Sequence, residues 1–418
     1  MSRSTTLLAA AMLVLAALPT AWSLAKSWER LGGPLATLTA RSVGVGVDSQ
    51  GVIYSGIATP SSGSYDDILV RRYDAAAKKW VLVGSILATT DSRLVGFATD
   101  PTVPASPWVA FADPSHSGRL SVKRWVQATS KWEYVGPPAI SPSPVQRAPC
   151  LTFSPKGEPW IAFQGAALKP TAARYNKLDK QWYSASVPSS PDGKTSFTAD
   201  WVTLAAGANG MVYMAYVDTS VPAENGRKGV VAAQNVTGTK FISDSKWSYA
   251  AFDQTTSKPY FSASSPEGLS LAIHPTTGVP HLSFTDAANS YRVSVMRPSA
   301  PAGKWQLVGT AGFGGSNPDL SALFVLDAYT SLAFTSGPTP IPLVAYLCSV
   351  DDPASRTNSV CVRQFVGGTW RPLGYLGVNF GQDTTFTMDL TVGAGKPLLA
   401  WSDIAKGGMD RTWVAAFQ

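Results

Sequence analysis

The chain has 418 residues, 15% of them charged and 45% hydrophobic, with 36 Gly and 31 Pro, a composition that excludes disorder and long coiled coils. One compact core rarely grows past roughly 250–300 residues, so the length calls for several domains or a repeat, and 14 Trp can fill a sizeable core. With 34 Lys and Arg against 27 Asp and Glu the net charge is +7.

The N-terminus reads as an export signal over residues 1–23. Arg3 starts it, Leu7 to Leu18 is apolar but short for a membrane span, and Ala21-Trp22-Ser23 places small residues at −3 and −1 of a cleavage point. A signal anchor is the competing reading, although no stop-transfer segment or lipid-attachment tail follows. The mature chain, 24–418, is expected to be a single secreted domain with no transmembrane segment.

From Trp28 onward one unit repeats. A Trp followed by a short apolar stretch recurs at Trp28, Trp80, Trp132, Trp182, Trp247, Trp305 and Trp370, at intervals of 52, 52, 50, 65, 58 and 65 residues. Each interval holds an apolar strand, a Gly turn, a second strand such as PWVAFAD or PHLSFTD, a polar loop, a third alternating strand such as RLSVKRWV, and then the Trp strand. Four strands per repeat predict an all-β, seven-bladed β-propeller of four-stranded antiparallel blades. Three strands follow Trp370 without a terminal Trp, so the strand at Trp28 is expected to close the last blade. An open β-solenoid is the alternative, which the complementary termini disfavour.

The three Cys follow from export. Cys348 and Cys361 flank a polar turn and are expected to bridge one hairpin, leaving Cys150 a buried free thiol. No Cys-x-x-Cys metal spacing exists, and Asn235-Val236-Thr237 is the N-glycosylation sequon. No cofactor is implied.

Over its mature length the sequence resembles secreted β-propellers, and the Trp strand in each repeat is similar to that of fungal propeller lectins. It lacks the Gly-His and Trp-Asp pair, the kelch double glycine and the Ser-x-Asp-x-Gly-x-Thr-Trp box of sialidases; Val366-Gly-Gly-Thr-Trp370 approaches the last without its Asp. The resemblance implies that the loops before the innermost strands and those between second and third strands share one face around a central channel. Fold alone does not carry function.

Sorted by that face, Thr59, Asp113, Gly165, Asp218, Asp286, Cys348 and Asp403 occupy one equivalent position. The four Asp are candidates for a carboxylate ring holding sugar hydroxyls or a cation such as Ca2+; the competing reading has each capping its own turn. Arg41, Arg93 and Arg147 precede the innermost strands of blades 1 to 3, where later blades carry Asp200, Glu267 and Thr385. They form a candidate arc for carboxylate or sulfate, unless they pair with carboxylates such as Asp113 and Asp403. Residues 24–196 hold 19 basic and 12 acidic side chains, whereas 197–418 hold 14 and 15, so the basic charge belongs to blades 1 to 3. His116, near Asp113 and Ser115, is a ligand-binding candidate and a weak hydrolase signal, since no Gly-x-Ser-x-Gly elbow accompanies it. His281 reads as a packing residue. The seven repeating Trp read as blade packing, and Trp125, Trp201 and Trp401 as candidates for stacking on a sugar.

These features point to a secreted, non-enzymatic binding module for an anionic glycan or an extracellular protein, with nucleic acid excluded by export. A glycan-active hydrolase or lyase using the mouth Asp and Arg residues is the alternative, and a structural scaffold the third.

Overall fold

A computed structural model describes residues 27–36, 40–60, 66–85, 87–90, 95–220, 227–236, 247–251, 259–262, 266–299, 303–314, 330–349, 358–374, 384–404 and 411–418. Within them seven antiparallel sheets ring a central channel, each running from an innermost to an outermost strand. Blade 1 is Ser42–Val47, Ile53–Pro60, Asp66–Asp74 and Lys79–Leu82; blade 2 is Val95–Thr99, Pro107–Asp113, Arg119–Val126 and Lys131–Tyr134. Blade 3 is Cys150–Phe153, Pro159–Gln164, Pro170–Asn176 and Gln181–Ser186; blade 4 is Ala199–Ala206, Met211–Asp218, Lys228–Asn235 and Ser248–Tyr249. Blade 5 is Pro266–Ile273, Pro280–Asp286, Arg292–Pro298 and Trp305–Leu307, and blade 6 is Thr330–Phe334, Pro342–Ser349, Asn358–Val366 and Thr369–Pro372.

Blade 7 joins Thr384–Gly393, Lys396–Ile404 and Arg411–Phe417 from the C-terminus to Trp28–Arg30 from the N-terminus. Trp28 pairs with Phe417 and Arg30 with Ala415, so the expected closure through both ends is the one formed. One departure from four strands occurs. In blade 1, Ala88–Thr90 adds a short strand beside the start of the third, pairing Ile68 with Ala88 and Asp66 with Thr90. The export signal lies outside the described residues, and among those described no helix is long and apolar enough to cross a membrane.

Second strands are buried on both faces, because each sheet packs against the blade before it and the blade after it. All seven residues of Pro107–Asp113 and of Pro280–Asp286 are buried. This explains why these segments read as near-continuous apolar runs rather than clean alternation. Apolar clusters accordingly span neighbours; one joins Trp108 and Leu120 of blade 2 to Leu151, Ile161 and Phe163 of blade 3.

The repeated Trp is the joint between blades. Its indole Nε1 donates to the carbonyl of the third residue after the preceding blade's Trp: Trp80 to Leu31 at 2.7 Å, Trp132 to Val83 at 3.0 Å, Trp182 to Val135 at 2.7 Å, Trp370 to Val308 at 2.6 Å and Trp28 to Leu373 at 2.8 Å. In each case the residue after that carbonyl is a glycine with positive φ, as at Gly309 (φ 80°) and Gly374 (φ 78°). A Cβ on Gly309 would lie 2.9 Å from Phe365 Cε2 and 3.1 Å from Trp370 Cδ1, so the ring sits where any side chain would stand. The Val-Gly or Leu-Gly after Trp28, Trp80, Trp132, Trp305 and Trp370 is therefore the socket for the next blade's indole. Blades 3 and 4 carry Ala185 and Ala250 at the socket carbonyl without a following glycine.

The sockets set a test of the fold. Gly309→Ala forces a left-handed backbone and a clash with Trp370, with an expected loss of about 1–3 kcal/mol in thermal unfolding. Trp370→Phe, which keeps an apolar ring but leaves the Val308 carbonyl without its indole donor, is expected to cost a similar amount.

Candidate functional site at the channel mouth

The innermost strands of all seven blades enclose a channel cavity of about 300 Å³, whose walls include Gly44, Gly96, Cys150, Ser270, Ser331 and Asp389. Small side chains dominate because seven strands converge there; a Cβ on Gly96 would lie 2.4 Å from the Pro149 carbonyl oxygen of the next blade. Asp389, on the closing blade, accepts from the Val45 amide of blade 1 at 2.8 Å and from the Ser331 hydroxyl of blade 6 at 3.2 Å. Burial pushes its carboxyl upward, and those bonds together with the Leu390 amide oppose the shift. Cys150 is a free thiol on the channel wall; burial raises it, despite bonds from Leu204 and Thr203, which makes it a poor nucleophile.

At the mouth, the innermost strands of blades 4, 5 and 7 slip register, between Asp200 and Thr203, Glu267 and Ser270, and Thr385 and Thr387. Asp200, Glu267 and Thr385 are the residues aligned in sequence with the arginines of blades 1 to 3, so the ring changes from cations to bulges halfway around. Two of these bulges turn left-handed, at Gly268 with φ 56° and at Trp201 with φ 53°. A tryptophan in that conformation is strained, by order 1–3 kcal/mol, and persists only where its surroundings over-determine it.

Those surroundings are specific. Arg147 grips Asp200 with two prongs, Nε to Oδ1 at 3.0 Å and Nη2 to Oδ2 at 3.0 Å, and its guanidinium carbon lies 5.6 Å from the centre of the Trp201 ring. Trp201 packs against the core of blades 4 and 5 and against that of blades 6 and 7, so its ring reaches across the channel. Beneath it, Arg147, Cys150, Thr203 and Leu269 line a recess of about 140 Å³. Burial lifts the Glu267 carboxyl above its ordinary 4.5; Arg227 draws it back and Asp200 adds to the lift. One mouth thus holds a carboxylate clamped by arginine and a second carboxyl biased toward its proton.

The predicted arginine arc is formed in part. Arg41 is 44% exposed and its Nε is 3.8 Å from Asp66, a residue of its own blade. Arg147 pairs with Asp200 of the next blade. Arg93 lies outside the described residues.

An open ring of Asp side chains is not formed, for all four are at most 8% exposed. Asp113 caps its own turn through the Ser115 amide and takes His116 Nδ1 and the Tyr134 hydroxyl, each at 2.9 Å. Burial alone would push it up, yet bonds from Tyr134, Ser121, His116 and Ser115 hold it below the ordinary carboxylate range. Asp286 takes Ala288, Asn289 and Ser294, and Asp403 takes the Trp401 indole at 2.8 Å. Asp218 caps through Ser220, while its Oδ2 is buried without a hydrogen-bond partner. His116 is held by Asp113 with its ring edge-on to Tyr134, away from any hydroxyl nucleophile with a described bond to it.

Two of the three non-repeating Trp belong to the scaffold. Trp125 pairs across its hairpin with Trp132, as Tyr73 does with Trp80 and Tyr175 with Trp182, so it occupies the common aromatic position of the third strand. Trp401 is wholly buried. Trp201 alone of the three stands at the mouth. His281 is a core residue, packed edge-on against Phe334 and lowered by burial to about 4. Cys348 and Cys361 form the expected disulfide, and Asn235 is exposed at a strand end.

No protein-family model matches this sequence, and no curated protein is significantly similar to it. Among solved structures, the polysaccharide lyase Uly1 superposes with a TM-score of 0.54 at 10% identity, over 93% of this chain and 99% of that one. A protein of unknown function from Dyadobacter fermentans gives 0.50 at 11% identity, over 94% and 98%. A Trypanosoma rangeli sialidase gives 0.48 at 11% identity, over 94% of this chain and 59% of that one. At 10% identity the superposition on the lyase shows a likeness of fold alone; the seven blades are those of the sheets themselves.

The raised carboxyl sets a pH test. An acid lifted on folding weakens the fold wherever the unfolded chain has already ionised it, that is, above its ordinary 4.5. Glu267→Gln is expected to match the parent in acid and to melt at a higher temperature near neutrality. Equal melting curves across that range would show that the carboxyl is not buried at a cost.

Proposed function

We propose that the protein is an exported carbohydrate-binding propeller that holds an acidic glycan at the channel mouth, over blades 3 to 5. The observation that carries this reading is Trp201, kept in a left-handed bulge with its ring spanning the mouth beside Arg147. A strained aromatic at a concave, polar site is the arrangement expected where an apolar sugar face must stack while its substituents find donors and acceptors. Arg147 and Arg41 supply donors suited to carboxylate or sulfate, and the basic charge of blades 1 to 3 favours an anionic partner. An intramolecular disulfide fits an oxidising compartment outside the cell. The reading requires no metal or cofactor.

The test is binding of the purified protein to a glycan array at low and at physiological salt. Capture of uronate-containing or sulfated glycans, weakened by salt, is expected. Arg147→Ala and Trp201→Gly are expected to lower affinity at least about tenfold. Trp201→Gly should stay folded, since glycine suits the positive φ there. Absence of capture at both salt concentrations overturns the proposal.

A second reading, a glycan-cleaving enzyme, is favoured by Glu267. A carboxyl lifted by burial at a concave site, with the Arg147-clamped Asp200 beside it, is an arrangement suited to a proton donor. The shared propeller of the polysaccharide lyase is compatible with this but does not carry it. Here Glu267→Gln is expected to abolish release of new reducing ends from acidic polysaccharides while leaving glycan capture within about twofold. No release by the parent protein removes this reading and leaves binding.

A further inference from the structure

On the face opposite the mouth, hairpins join the third strands to the fourth at the rim, and those of blades 1, 2 and 3 stand side by side. Their tips read Asp74-Ala-Ala-Ala-Lys78-Lys79, Val126-Gln-Ala-Thr-Ser130-Lys131 and Asn176-Lys177-Leu178-Asp179-Lys180. The five lysines are exposed, and Leu178, at 89%, is the most exposed large apolar side chain among the described residues. The acids beside them are turned to their own loops. Asp74 accepts from the Ala76 and Ala77 amides, and Asp179 from the Asn176 carboxamide, the Gln181 amide and the Tyr183 hydroxyl. Lys79 acts on Asp74 through space, and Lys177 reaches Asp100 at 3.7 Å.

The backbone of these tips is fixed by the ring. Each turns left-handed two residues before its Trp, at Lys78 (φ 50°), Ser130 (φ 50°) and Lys180 (φ 59°), where blade 6 places Gly368 (φ 79°). Glycine takes that conformation without strain and lysine does not, so nothing local to the turn favours the two lysines. The neighbouring blade braces the same residues. A Cβ on the socket glycine Gly32 would lie 2.7 Å from the Lys78 carbonyl oxygen, and one on Gly136 would lie 2.9 Å from that of Lys180. Blades 1 and 3 thus keep a solvent-facing cation at a glycine position of a braced loop.

Five lysines on one stretch of rim favour an anionic partner, and Leu178 decides its kind. A soluble polyanion rewards the cations alone, whereas a bilayer surface also rewards an apolar side chain that the flanking lysines carry past the headgroups. We propose that these three hairpin tips dock the protein on an anionic membrane surface, with Leu178 entering the interface and Lys78, Lys79, Lys131, Lys177 and Lys180 meeting lipid phosphates. Docked in this way, the protein turns its channel mouth away from the bilayer. The proposal uses no residue of the mouth and does not rest on the glycan reading.

Cosedimentation of the purified protein with vesicles of phosphatidylcholine, alone or mixed with phosphatidylglycerol, tests this. Partition onto the mixed vesicles is expected, weakened by added salt and slight on phosphatidylcholine alone. Leu178→Ser is expected to lower the partition coefficient about tenfold. Lys78→Gly combined with Lys180→Gly is expected to lower it about tenfold or more while melting no lower than the parent, because glycine relieves the left-handed turns. No partition onto the mixed vesicles, equal partition onto phosphatidylcholine alone, or indifference to the lysine variants overturns the proposal. Indifference to Leu178→Ser overturns it as well, and retention of soluble dextran sulfate in that case assigns the rim to a soluble polyanion. The mouth is judged apart, by array capture.

Discussion

The structure depends on an indole reaching into the neighbouring blade. A four-stranded sheet with both faces apolar has no stable existence alone, and stacking seven of them in a ring buries those faces without fixing how each is placed. The bond from the Nε1 of Trp28, Trp80, Trp132, Trp182 and Trp370 to a carbonyl beside a left-handed glycine supplies that placement at five of the seven blades. It is directional and recurs at 2.6–3.0 Å in blades 6, 7, 1, 2 and 3. The same contact is made by Trp28, which belongs to the first strand of the chain and the last blade of the ring. Closure is thus one more instance of the joint, reinforced on the channel side by Asp389, which bonds to blades 6 and 1 together.

The ring in turn generates the mouth. Seven innermost strands brought to one axis must be thin, which accounts for the Gly, Ser and Ala along them, and they cannot all keep regular pairing to their ends. Blades 4, 5 and 7 relieve the crowding by slipping register, and the slip exposes residues that a straight strand would have turned into a sheet face. Trp201 and Glu267 acquire their character from these bulges. One is swung across the channel; the other is half-withdrawn from water beside a carboxylate that Arg147 has already claimed.

Charge at the mouth is arranged differently from the charge of the chain as a whole. The first half of the sequence is basic, yet the arginines it sends to the channel are met by Asp66 and Asp200, so anion recognition there requires exchange of one partner for another.

The architecture was legible in the sequence because it is periodic. The Trp spacing, the alternation of the third strands and the complementarity of Trp28 with the C-terminal strands each follow from local rules that hold in every repeat, and so does the short hairpin bridged by Cys348 and Cys361. Equivalent positions also located the Asp residues at or near their strand ends, but the side chains are buried: Asp113, Asp218 and Asp286 cap their own turns and Asp403 takes the Trp401 indole. What the sequence could not disclose lies where periodicity fails. The pairing of Arg147 with Asp200 and the packing of Trp201 against blades across the channel arise between residues of different blades, and their geometry is set by closing the ring. The sequence alone determined the number, order and joints of the blades; which side chains meet at the axis and between blades was decided only when seven sheets competed for one centre.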